Sequence, residues 1–167
     1  EKTRQNTKVI QRGNIMAIRK IVQLGDEVLR KRSFEVDKVN EKIVTLLNDM
    51  KDTLIKADGA GLAAVQVGVL KRIFIVNVED GYYEFINPVI LSESGSQIGA
   101  EGCLSVKGRY GEVERPSTVV IKALNREGKE FTLTAKDFFA RAICHEYDHL
   151  DGILYIDKAI KMMEEKD

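Results

Sequence analysis

The sequence predicts an α+β fold: antiparallel β-sheets packed around a central helix, with an N-terminal helix and a short C-terminal helix. Three observations predict it. An apolar stripe of helical spacing comes early, β-branched runs joined by turn signals fill the middle, and a second helical pattern follows them. At 167 residues the chain has the length of one ordinary domain.

Ile43, Leu47, Met50 and Leu54 recur at i, i+4, i+7 and i+11, the buried stripe of an amphipathic helix. Asn40 supplies its N-cap and Asp58-Gly59 its end. Arg72 to Val78 is apolar and β-branched, Asp80-Gly81 is a hairpin turn signal, and Tyr82 to Ile86 continues as the partner strand. Ser117 to Leu124 and Glu130 to Thr134 form a second hairpin around Asn125-Arg126-Glu127-Gly128. From Asp137 to about Leu150 the period turns helical again, opened by Thr134 with Asp137 three residues on, a variant capping box, and stopped by Gly152. Asp157 to Lys166 predicts a short final helix.

Residues 1–15 are polar, carry Lys2, Arg4, Lys8 and Arg12 against Glu1, and lack the apolar region of a signal peptide. They read as a poorly ordered leader remnant or appended sequence before a natural start at Met16, with residues 16–167 as a single domain. An organellar transit peptide fits less well, because the stretch contains no Ser.

Composition narrows the function. Lys plus Arg equals Asp plus Glu at 26 each, so no global field draws the chain to nucleic acid or anionic lipid. No apolar run approaches the roughly 18 residues of a membrane span. Two cysteines without a secretory signal point to a reducing, cytosolic setting, where thiols serve as ligands or core residues. A single disulfide is the alternative.

Both histidines fall in one word, His145-Glu146-Tyr147-Asp148-His149. On a helix, residues i and i+4 share a face, so two imidazoles can meet one cation. Glu146 stands about 100° around the helix, able to reach a water beside that cation without ligating it. Two ordinary histidines on a solvated face is the plain alternative. A site with an open position needs a third protein ligand. Cys144 points about 100° off the His145/His149 face and reads as a buried small hydrophobe. Cys103 lies in Glu101-Gly102-Cys103-Leu104-Ser105, where glycine lets a backbone approach closely, and is the better ligand; a plain core cysteine is its alternative. In Gly59-Ala60-Gly61-Leu62-Ala63-Ala64-Val65-Gln66, two glycines among alanines mark a backbone that something approaches, or else a turn packed under a helix. The Lys-Ser/Thr ending of a phosphate-binding loop is missing.

GAGLAAVQ, EGCLS and HEYDH stand in the order and approximate spacing of the three motifs of peptide deformylases, and the chain from Met16 onward, Ile86-Asn87-Pro88 included, resembles that family. The resemblance implies a metal-dependent amidohydrolase that removes the formyl group from N-terminal formylmethionine of newly made proteins and releases formate. It implies Cys103, His145 and His149 as ligands of one divalent ion, Fe(II) natively with Zn, Ni or Co in prepared protein. Glu146 is then the acid/base, and the Gln66 side chain and Leu104 backbone N–H hold the oxyanion. Gly59, Ala60 and Gly61 bind the substrate main chain as an added strand. Ala60 is smaller than the family's usual branched residue, and Lys107 stands where proline is frequent; both departures bear on substrate preference.

Phe138, Arg141 and Ala142 lie one to two turns before His145, where they either line a wall of the methionine pocket or simply pack. Glu101 and Asp148 are candidates to orient the histidine N–H groups, unless Asp148 pairs with Arg115. The implied partners are N-formylmethionyl nascent peptides and, through Lys158 to Asp167, the ribosome. The Lys/Glu alternation of that tail is more simply a solvated helix face.

Two other functions compete. An H-E-x-x-H metallopeptidase takes its third ligand downstream, where the chain offers no His and only Glu164 and Glu165 as glutamates. A metal-stabilised binding module needs four protein ligands and gives Glu146 no purpose.

Overall fold

The computed structural model describes residues 6–11 and 14–165. The chain opens on a hairpin of β1 (Asn6–Gln11) and β2 (Asn14–Arg19), so the expected leader lies partly outside the described residues and partly in these strands. Helix α1 (Glu41–Ala57) follows, with the Asn40 side chain accepting from the Ile43 N–H at 3.1 Å as its cap. Asp58, in the left-handed region at φ 57°, ends it.

The strands β3 (Gly61–Ala63), β4 (Ile73–Val78), β5 (Gly81–Ser94), β6 (Gln97–Cys103), β7 (Val106–Arg115), β8 (Thr118–Leu124) and β9 (Glu130–Lys136) come next. Helix α2 (Asp137–His149) and strand β10 (Lys161–Glu164) close the chain. One antiparallel sheet has the order β3-β4-β5-β8-β9 and a second the order β10-β7-β6. Both predicted hairpins are present, β4 with β5 and β8 with β9.

The larger sheet is buried on both faces, which is why β4 reads as a continuous apolar run rather than an alternation. Ile73 and Ile75 join Leu47, Met50 and Leu54 of α1 in one core. Phe74 and Val76 point the other way, packing with Phe85, Ile121, Phe139 and Ile143 beneath α2. The predicted stripe of α1 is thus the face it buries, and α2 is held against the same sheet from the opposite side.

Three expectations are corrected. The hairpin of β6 and β7 escaped prediction because Gly95, Gly99 and Gly102 interrupt any strand pattern. Thr134 does not cap α2: it sits inside β9 opposite Val120, and the strand runs to Lys136 before Asp137, at φ 56°, turns into the helix. The final helix expected over Asp157 to Lys166 is a single 3-10 turn, Tyr155–Asp157, followed by β10. The open edge of β7 offers unpaired backbone groups, and pairing there (Lys161 opposite Glu112) outweighs the helix propensity of a Lys/Glu-rich segment. Lys166 lies outside the described residues. No helix among the described residues is long and apolar enough to cross a membrane.

Candidate metal centre

Three elements converge on one point. Helix α2 brings His145 and His149, one turn apart. The turn between β6 and β7 brings Cys103, and β3 with the 3-10 turn after it (Ala64–Val67) brings Gly61 and Gln66. One ligand atom from each of Cys103, His145 and His149 lies within 4.8 Å of the others. Cys103 Sγ is 3.4 Å from His149 Nε2. The two sequence words, 40 positions apart, therefore form one donor set.

That set fits a divalent ion. It contains one thiol and two buried imidazoles, without a fourth side chain among the described residues, as an open site requires. Nδ1 of His145 is engaged by Glu101 Oε1 at 2.8 Å, which fixes the ring and leaves Nε2 for a cation. Burial pushes His149 well below the usual histidine range, which keeps its ring a neutral lone-pair donor.

Glu101 is the hub behind the ligands. It receives Arg115 Nε at 2.8 Å and Nη2 at 2.9 Å, and Arg141 Nη1 at 2.7 Å. Burial alone would raise its proton affinity; the hydrogen bonds from Arg115 and His145 win and hold it well below the carboxylate range. Asp148 takes the other of its two expected roles, accepting from Arg115 Nη1 at 2.8 Å.

Glu146 is 4% exposed, its Oε1 has no partner among the described residues, and burial raises it to about 7. The Gln66 amide is equally enclosed. Its Oε1 accepts from the Ala63 N–H at 2.9 Å, which turns Nε2 toward Ser105 Oγ at 3.1 Å and Cys103 Sγ at 3.6 Å. Leu104 follows Cys103 at the turn and lines the same space.

These groups open on a cleft of about 750 Å³. Gly59, Ala60, Gly61, Phe138, Arg141 and Ala142 all border it, as does Lys107. Arg141 borders the cleft and also packs: it is 5% exposed, with its guanidinium folded back onto Glu101. Cys144 is buried, with its thiol pushed up to about 12, and both cysteines are free.

Some supporting residues carried no signal in the sequence. The strap of residues 21–24 braces two of the motifs: Val22 N–H donates to Gln66 O at 2.7 Å, Leu24 N–H to Ser105 O at 2.7 Å and Gln23 Nε2 to Leu104 O at 3.0 Å. Tyr155 stacks on the His145 ring, centroids 5.9 Å apart. Ser105 was visible only as the last letter of EGCLS.

Known proteins resemble the chain over most of its length. The family model described as polypeptide deformylase matches residues 18–165. The peptide deformylase of Acetivibrio thermocellus is 55% identical over 150 residues, 90% of this chain and 88% of that one. The peptide deformylase of Thermoanaerobacter pseudethanolicus is 52% identical over 152 residues, 91% of this chain and 96% of its own. Among solved structures, a peptide deformylase from Legionella pneumophila superposes with a TM-score of 0.83 at 43% identity, covering 85% of this chain and 86% of that one. One from Synechococcus elongatus in complex with actinonin gives 0.81 at 37%, covering 83% and 77%.

Proposed function

The chain belongs to the polypeptide deformylase family, metal-dependent hydrolases that remove the N-formyl group from nascent peptides, and from that premise we propose how its own residues divide the work. The observation that carries the reading is the convergence of Cys103, His145 and His149 beside Glu146 and Gln66 on one cleft.

Cys103, His145 and His149 would hold the ion, which when bound supplies a Lewis acid and water acidified toward neutral pH. Glu146, without a partner on Oε1 and raised by burial to about 7, takes a proton from the attacking water and returns it to the departing amine nitrogen. Gln66 Nε2 and the Leu104 backbone N–H donate to the formyl oxygen as negative charge gathers on it, each such donor being worth about 3 kcal/mol. β3 pairs with β4 alone, so Gly59, Ala60 and Gly61 offer the substrate main chain an open strand edge. Phe138 and Ala142 give the methionine side chain an apolar wall, while Arg141 contributes only its stem. A formyl carbon bears only hydrogen, and the enclosure of Glu146 and Gln66 excludes an acetyl methyl group sterically.

We read the native ion as Fe(II) because the family resemblance implies it; the donor set itself, a thiolate with two imidazoles, would accept zinc, nickel or cobalt as well. The thiolate beside oxidisable iron makes an iron-loaded sample lose activity in air faster than a nickel-loaded one; equal decay removes that reading. Two free thiols, one of them the ligand, support a reducing cytosolic setting.

Formate release from an N-formylmethionyl peptide, with metal content measured on the same sample, tests the assignment. Turnover should track metal content and vanish on chelation. A metal-replete, folded sample that releases no formate would refute it. Comparable turnover of an N-acetylmethionyl peptide would refute the steric exclusion alone.

A further inference from the structure

Arg141, His145 and His149 occupy positions i, i+4 and i+8 of α2, so an arginine continues the ridge that carries both imidazoles. A long cation on that ridge, beside an apolar cleft, needs a reason. Its Nη1 donates to Glu101 Oε2 at 2.7 Å and to Val113 O at 3.0 Å, and more weakly to Gly99 O at 3.4 Å. Glu101 and Gly99 belong to β6 and Val113 to β7, the hairpin whose turn carries Cys103.

Glu101 and Arg115 lie on the same hairpin, so their bidentate pair braces that hairpin internally. Arg141 does something different. Together with His145 it grips the Glu101 carboxylate from two consecutive turns of α2, joining the helix of the imidazoles to the hairpin of the thiol. Gly99 makes this possible: a Cβ there would lie 3.0 Å from Arg141 Nη2 and 3.3 Å from Cζ. The glycine opposite Val113 in the β6–β7 ladder is the floor on which the guanidinium rests.

Building on the reading of Cys103, His145 and His149 as ligands, we propose that Arg141, seated on Gly99, is a positioning residue that fixes the approach of the Cys103 thiolate to the two imidazoles. Loss of the fastening lets the hairpin shift against α2. A bound ion would then be released more readily, with Cys103 the ligand least well held.

The test uses the full chain loaded with Co(II), following thiolate-to-cobalt absorption and the rate of metal loss to a chelator. R141M should release metal roughly 10- to 100-fold faster than the parent, the usual cost of removing a group that orients ligands, with a weakened or shifted sulfur band. R141K, with a charge but no planar fork, should fall between. G99V should behave like R141M although Arg141 is still present, because its side chain takes the space of the guanidinium. Should R141M fail to fold, G99A, which adds one methyl group at the same contact, carries the test. Folded variants with parental release rates and an unchanged sulfur band, whatever their melting temperature, overturn the proposal. Absence of a Cys103-dependent band in the parent, judged against C103S, overturns the ligand reading itself.

Discussion

The backbone of Gly61 lies directly against the carboxylate of Glu146: a Cβ at position 61 would stand 2.6 Å from Oε2 and 2.9 Å from Cγ. Only a hydrogen fits between β3 and the proposed acid/base. The atoms in the way are those of a flexible side chain, so G61A should fold with little loss of stability while displacing the carboxylate. A misplacement of that order costs about 100-fold in turnover. Kinetics with metal content and melting temperature on one preparation check this. A G61A enzyme with unchanged kcat would show that the contact has no bearing on the reaction.

A second prediction concerns pH and lies far from the metal centre. Glu84 on β5 accepts from Arg126 Nε at 2.9 Å, Arg126 Nη2 at 2.7 Å and Tyr82 Oη at 2.7 Å. Burial favours its neutral form, but the bonds from Arg126 and Tyr82 dominate and hold it below the ordinary glutamate value. A carboxylate depressed by folding stabilises the native state above its unfolded value of about 4.3, and that contribution disappears as pH falls through the folded value. E84Q should therefore have a lower unfolding midpoint than the parent at pH 7, and the gap should narrow below about pH 4.3. A gap that stays constant from pH 7 to pH 3 would rule out this pairing as its source.

Elements whose cause is local were the ones legible in the sequence. The α1 stripe, the Asn40 cap, the Asp80-Gly81 turn and the i, i+4 pairing of His145 with His149 all depend on residues within a few positions of one another. The β6–β7 hairpin and β10 were not legible, because glycine breaks the pattern of one and an open sheet edge, set by tertiary structure, recruits the other. The same division runs through the site. Cys103 was reached through its motif, whereas the pairing of Arg141 with Glu101 and the Gln23 strap join residues 40 or more positions apart, and the Tyr155 stack on His145 crosses the end of α2, so no periodicity exists for any of them.

Core packing can be separated from chemistry at Leu47, which is 0% exposed in the core between α1 and the larger sheet, across that sheet from α2. Its neighbours are Ile73, Ile75 and Ile86 of the larger sheet together with the rest of the α1 stripe. L47A should destabilise the protein by about 2–5 kcal/mol, the range for truncating a buried leucine. Metal content and kcat of the folded fraction should stay near parental values. Denaturant unfolding gives the first number. Loss of bound metal at a denaturant-free temperature well below the midpoint would contradict the separation.

Glu146 separates a deformylase from a site that merely ties the fold together. Among the described residues the side chain has no salt-bridge partner and its Oε1 no hydrogen-bond partner, and burial already raises its proton affinity. Removing an unpaired, buried acid costs the fold little. E146Q, nearly the same shape but unable to carry the proton, should keep the metal and the melting temperature and lose roughly 100- to 10,000-fold in turnover. E146A should do the same with a small cavity added. For a purely structural metal, neither substitution has an activity to abolish, and both should leave the protein's measured properties unchanged. Formate release at parental rate by metal-loaded E146Q would remove Glu146 from the chemistry and, with it, the proton path proposed for this cleft.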